Sequence, residues 1–191
     1  MKKLLLVMLS GVSCASYQFG QARRQLPGGY DRLAIPIFMN RTPEVGIETY
    51  FTDALKMEFE RSRLATVLPK DQAQVVIEGA VTKVLSVPRA QTSEIKDPLG
   101  KTTNVLPKDT LISQEYGVVV NVHLILRKLA NDQVLWEGDF SNEKSYRGPQ
   151  LGSPGLSNSN AIYNLSGRVL TIAQLSEVMM SEAHDQITEN F

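Results

Sequence analysis

The run Glu115 to Gly138, EYGVVVNVHLILRKLANDQVLWEG, decides the fold. Tyr116, Val118, Val120, Val122, Leu124 and Leu126 fall in one phase of a two-residue period, and Gly117, Val119, Asn121, His123, Ile125 and Arg127 in the other. Successive strand side chains point to opposite faces, so the first phase reads as core and the second as the wetter side. Asn131-Asp132 supplies a turn, and Val134 to Tyr146 runs back with Val134, Trp136, Gly138 and Phe140 separated from Leu135, Glu137, Asp139 and Ser141. This is an antiparallel hairpin.

Upstream of it, Val75 to Val87 reads as another long strand, with Gly79 as a candidate bulge, and Leu64 to Leu68 as a short one stopped by Pro69. Between Pro88 and Thr110 the density of Pro, Thr, Lys, Asp and Gly predicts a long irregular excursion with Leu99-Gly100 at its tip. Earlier still, Ile47, Phe51, Ala54, Leu55 and Phe59 recur at helical spacing, so an amphipathic helix ends near Arg61. Thr42-Pro43-Glu44 offers its cap, with Gly46 as an alternative start. Glu48, Thr52, Lys56 and Glu60, four apart, form its exposed stripe. Arg32 to Met39, RLAIPIFM, is the first strand, and Pro36 places it at an edge or near a strand end.

Downstream, Gly148 to Asn160 is rich in Gly, Pro, Ser and Asn and predicts a mobile surface loop. From Ala161 a long helix follows, with Leu165, Val169, Ile172, Met179, Ala183 and Ile187 as its buried stripe and Gly167 weakening its first turns. The expected fold class is therefore α+β: two helices packed on one face of a mixed, mainly antiparallel sheet of about four strands.

The whole chain has 191 residues, 42% hydrophobic and 21% charged, which suits one folded domain. Its 20 basic and 20 acidic residues cancel, so no bulk positive field is available for nucleic acid, and no nucleic-acid partner is expected.

The amino terminus is different in kind. Lys2 and Lys3, the apolar run Leu4 to Leu9 and the small residues Ser10, Gly11 and Ser13 form an export signal over residues 1–13, too short to span a bilayer as a helix. The single cysteine, Cys14, follows directly, so no intrachain disulfide can form. This arrangement resembles the lipobox of a bacterial lipoprotein, although Gly11 stands where Leu is usual. The resemblance implies cleavage before Cys14, a diacylglycerol on its thiol and an acyl chain on the new amino terminus. Ala15 in place of Asp then implies sorting to the outer membrane. Losing Lys2 and Lys3 leaves a mature chain of about −2. Residues 14–29, ending in Pro27-Gly28-Gly29, read as a lipidated tether, and the folded domain as residues 30–191.

Catalytic chemistry finds little to use. Metal sites and acyl-transfer triads draw heavily on His and Cys, of which the lipidated chain offers only His123, His184 and the modified Cys14, and no GxGxxG, phosphate-loop, HExxH or GxSxG string occurs. His123 reads as a half-exposed sheet residue. His184 reads as a surface helix residue that Asp185, its chain neighbour, does not orient. No catalytic or metal site and no cofactor is expected.

The block LAIPIFMNRTPEVGIETYFTDALKMEF (Leu33 to Phe59) resembles the LPS-assembly lipoprotein family, LptE. The Leu-Pro-Gly-Gly lead-in, Tyr17-Gln18-Phe19-Gly20 after Cys14, the strand VVIEGAVTKV, the hairpin above and the final helix continue the likeness. Ala15 and Ser16 stand where the family usually has Gly after the cysteine. The resemblance implies an outer-membrane lipoprotein, facing the periplasm or inside a barrel lumen. There it plugs the β-barrel translocon LptD, helps it assemble, and supports lipopolysaccharide insertion. Within that reading Arg89, Lys96, Lys101 and Lys108 are candidate cations for the anionic glycolipid; the plain alternative is that they keep a loop soluble. Two other functions compete. One is a small outer-membrane lipoprotein that scaffolds another envelope protein or peptidoglycan without touching lipopolysaccharide. The other is a secreted hydrolase, which losing both His123 and His184 would disable.

Overall fold

A computed structural model describes residues 24–92, 94–96, 99–105, 112–147 and 161–189. The elements in chain order are β1 (Arg32–Ala34), β2 (Met39–Asn40), α1 (Ile47–Ser62), β3 (Thr66–Val67), β4 (Val75–Thr92), β5 (Glu94–Lys96), β6 (Thr102–Val105), β7 (Ile112–Lys128), β8 (Val134–Arg147) and α2 (Ala161–Thr188). One six-stranded sheet runs β3-β1-β4-β7-β8, with β2 also on β4, and β5 and β6 make a separate pair. The pairings of β1 and β2 are parallel, and β4, β7 and β8 are antiparallel. The class is the expected α+β, with more strands than the expected four.

The long hairpin forms as its alternation requires. Val118, Val120, Val122, Leu124 and Leu126 are buried, and so is Phe140 opposite Val122. Asp132 takes a left-handed turn conformation at φ 56°. Ile77 and Val81 of β4 join this layer, and Phe51, Leu55 and Phe59 of α1 and Ile172, Met179, Ala183 and Ile187 of α2 close over it. Each fully buried Phe or Leu contributes about 1.5–3 kcal/mol relative to exposure.

The first predicted strand is broken in two. Pro36 has no N–H to give, and Ile35 and Phe38 turn into the core between β1 and β2. The backbone N–H of Phe38 donates to Thr52 Oγ1 at 3.0 Å, and the Thr52 hydroxyl donates to Glu48 O at 2.6 Å. Thr52 is therefore buried at 1% exposure, and its expected place on the solvated stripe is wrong. A helical period sees a polar residue; it cannot see the orphan N–H which that residue satisfies.

Gly79 is not the bulge. A Cβ there would lie 2.5 Å from the Phe38 ring, so the glycine admits that ring, and the register shift falls at Val81/Lys83. Helix α1 starts at Ile47 behind Gly46 (φ 84°), the alternative start, with no side-chain cap. Thr42 is spent elsewhere, its N–H and hydroxyl both donating to Asn40 Oδ1.

About half of the excursion predicted over 88–110 is strand. β4 continues to Thr92, β5 and β6 form a hairpin with Leu99-Gly100 in the turn, as expected, and β7 already starts at Ile112. The ladder to β7 carries Pro88 opposite Tyr116 with register shifts just beyond it. Past Val81, β4 has no partner on its β2 side among the described residues, and such an edge tolerates a missing N–H. The predicted loop 148–160 and the segment 1–23 lie outside the described residues. Leu26, upstream of the expected start of the folded domain, is fully buried in the core.

The carboxy-terminal helix buries Ile172, Met179, Ala183 and Ile187 as expected, but Leu165 and Val169 are 58% and 38% exposed. The ion pair between Arg168 and Glu44 places Arg168 level with the segment just before α1. The earlier turns of α2 therefore overrun α1 and lose its cover. Gly167 lies against the Tyr146 ring, where a Cβ would come within 3.0 Å.

Candidate functional site

Helices cover one side of the sheet; the other side is a field of cross-strand polar pairs built on the second phase of β7. Arg127 Nε lies 3.5 Å from Glu78 Oε2 of β4, and Lys70 Nζ is 3.9 Å from the same carboxylate. His123 stands opposite Asp139 in the register, with Nδ1 2.8 Å from Asp139 and Nε2 3.3 Å from Glu137. Its two nitrogens are thus held on opposite sides of the ring by two acids, and the carboxylates do not converge on one point. Ser141 Oγ donates to Asn121 Oδ1 at 3.1 Å, and Thr82 Oγ1 donates to Asn121 O at 3.2 Å. Further along, Arg89 and Glu143 pair across Gly117, where any Cβ would collide with both side chains. Of these, His123 and Asp139 are directly opposed, a kind of cross-strand pair that stabilises a sheet by about 0.2–1 kcal/mol, while Arg127 and Glu78 meet on a diagonal and Arg89 reaches Glu143 over the intervening β7.

Of the four predicted cations, three fall among the described residues. Arg89 is held by Glu143 on the polar face. Lys96 ends β5 opposite Thr102, and Lys101 is exposed beside the same hairpin turn, so the fold brings these two to one tip. Lys108 and Cys14 lie outside the described residues.

His184, expected at the surface, is 4% exposed between the helices. Its Nε2 is 2.9 Å from Ser62 Oγ, its ring meets Phe59 edge-on at 4.8 Å, and its Nδ1 is 3.5 Å from Asp185, whose Oδ1 is engaged by Arg24 at 2.7 Å. Burial holds the His184 pKa below the usual 6.5 against the opposing pull of Asp185. The order Ser, His, Asp is that of an acyl-transfer triad. Yet the flanking grooves are lined by Glu58, Arg61, Ser181 and Glu182 on one side and by Phe59, Arg63 and Thr66 on the other, and neither reaches Ser62 or His184. The trio is a clasp joining the ends of α1 and α2. Its 122-residue separation left no sequence signal.

A second missed cluster caps the other end of the helix pair, where Tyr116 and Tyr146 stack at 5.6 Å. Burial raises the Tyr146 pKa, partly offset by Arg168 nearby. Among the described residues no group of His, Cys, Asp and Glu is arranged to hold a metal, and no helix is long and apolar enough to cross a membrane.

A family model described as "LptE: Lipopolysaccharide-assembly" matches residues 30–191. The chain belongs to the LptE family. The match takes in both helices and the whole six-stranded sheet, so the LptE assignment rests on the full folded domain. Among curated proteins, none matches this LptE chain. Solved structures similar to it include the PelC dodecamer from Paraburkholderia phytofirmans, 14% identical, TM-score 0.48, covering 85% of this chain and 90% of that one. Another is the rare lipoprotein B from Shewanella oneidensis, 12% identical, TM-score 0.37, covering 81% and 89%.

Proposed function

We propose that this LptE-family chain is an outer-membrane lipoprotein that seats in the lumen of the β-barrel LptD, assists its assembly, and supports delivery of lipopolysaccharide to the outer membrane. The observation that carries this reading is the family match over residues 30–191. Residues 1–13 act as the export signal, Cys14 carries the diacylglycerol and amino-terminal acyl chains, and the segment after it tethers the domain, whose core already takes in Leu26. Several acyl chains give stable anchoring where one is marginal, at about 0.8 kcal/mol per buried methylene.

The polar face suits a wet lumen. Arg89 is paired with Glu143 over β7 and Arg127 with Glu78 of β4, so these two cations are already partnered where the face stands against water or a polar wall. Arg89, Lys96, Lys101 and Lys108 are the proposed cations for the glycolipid phosphates, with Arg89 reaching a ligand only by exchanging Glu143. The role is one of shape and binding, with no catalytic step.

Affinity purification from detergent-extracted membranes tests the proposal. One large barrel protein should be recovered in near-equal amount, and recovery of the chain alone would refute it.

A further inference from the structure

We propose that the outward groove between α1 and α2 docks a cationic amphipathic helix of a protein partner. The two helices run side by side in the same direction, since Glu44 meets Arg168 at one end and Ser62 meets His184 at the other. On the side away from the sheet they enclose a groove whose apolar residues are Ala54 and Met57 of α1 and Val178 of α2. Met57 is 63% exposed and Val178 55%, on helix positions that solvent would normally fill with polar side chains.

The rim fixes the occupant's charge. Glu58, Glu60, Glu177 and Glu182 line the groove against one cation, Arg61, and that guanidinium is already paired with Glu58. An anionic lipid surface is repelled by such a rim, whereas Lys or Arg flanking an apolar stripe is matched at both the floor and the walls. The shape selects a helix. Two parallel helices present a long trough, into which a third inserts anchors at i, i+3, i+4 and i+7. The surface lies on the opposite side of the helices from the polar sheet face, so the inference does not depend on the barrel reading.

The test uses the full chain carrying Cys14→Ser, with methyl-labelled methionine, and a synthetic helical peptide of about 14 residues bearing one Leu stripe and Lys elsewhere. The Met57 methyl signal should shift on titration while those of the buried Met179 and Met180 stay in place. Binding should weaken about tenfold in Glu177→Lys/Glu182→Lys and fall with salt. A peptide with Glu in place of Lys should regain affinity for that double variant. The proposal is overturned if Met57 does not respond, or if a scrambled peptide of equal composition binds as well. It is equally overturned if the Met57 signal responds instead to phosphatidylglycerol vesicles or to self-association on concentrating the protein alone.

Discussion

His184 sits at 4% exposure with one nitrogen on Ser62 and an aromatic edge against its ring, an environment that favours the neutral imidazole. Its folded pKa is therefore depressed below the ordinary 6.5. As pH falls through that ordinary value, the unfolded chain takes up a proton that the folded chain refuses. Stability is full above it and declines on acidification until the lowered folded pKa is reached. Urea midpoints measured between about pH 7.5 and pH 4.5 should fall on the acid side, and His184→Gln should flatten that part of the curve. An unchanged slope in the variant would remove His184 from the account. Gly79 offers a test of opposite character, because it works by absence. Gly79→Val forces a side chain into the Phe38 ring and should destabilise by about 1–3 kcal/mol or more, read as a shift in the denaturant midpoint without a change in slope. Thr52→Val keeps the volume but leaves the Phe38 N–H buried without an acceptor, and should lose about 1–3 kcal/mol in the same measurement.

At the scale of elements, the three long strands extend farther than the short strands beside them. β4, β7 and β8 continue past the last pairing of β2 with β4 at Val81, and Arg89 and Glu143 lie on this extension. Their side chains are 49% and 37% exposed, so the pair is screened and contributes about 0–1 kcal/mol. Arg89→Ala should therefore leave the melting temperature nearly unchanged. If lipopolysaccharide capture falls in that variant while folding holds, the loss belongs to the ligand; if capture is unaffected, Arg89 leaves the proposed set. Glu143→Gln, which releases Arg89, should move capture in the opposite direction. These strands also show how far periodicity can be read. The alternation named the buried face of β7 from Val118 to Leu126, with Tyr116 at its end only half-buried, because a two-residue period maps directly onto a pleated strand. The composition of the Pro- and Thr-rich stretch from Pro88 to Thr110 predicts irregular chain because it carries no knowledge of a pairing partner; the ladder to β7 up to Thr92 and the pairing of β5 with β6 supply it.

The whole molecule joins a two-layer domain to an amino-terminal stretch of different composition. Cys14→Ser should abolish labelling by a palmitate analogue and release the chain from the membrane fraction, with the folded domain intact by circular dichroism, since Cys14 lies upstream of Leu26, the first core residue among the described residues. Retained label would refute lipidation at that thiol. The amino-acid order by itself determined the α+β class, the hairpin and its buried phase, the main span of both helices, and the family likeness carried by Leu33 to Phe59. All of these are written in local periods or contiguous strings, which need no knowledge of distant contacts. Tertiary structure alone decided that Thr52 faces inward, that Gly79 makes room for Phe38, that Leu165 and Val169 overrun their cover, and that His184 closes on Ser62. Each depends on which surface another segment brings against that residue, and packing between elements far apart in the chain leaves no period for a sequence to display.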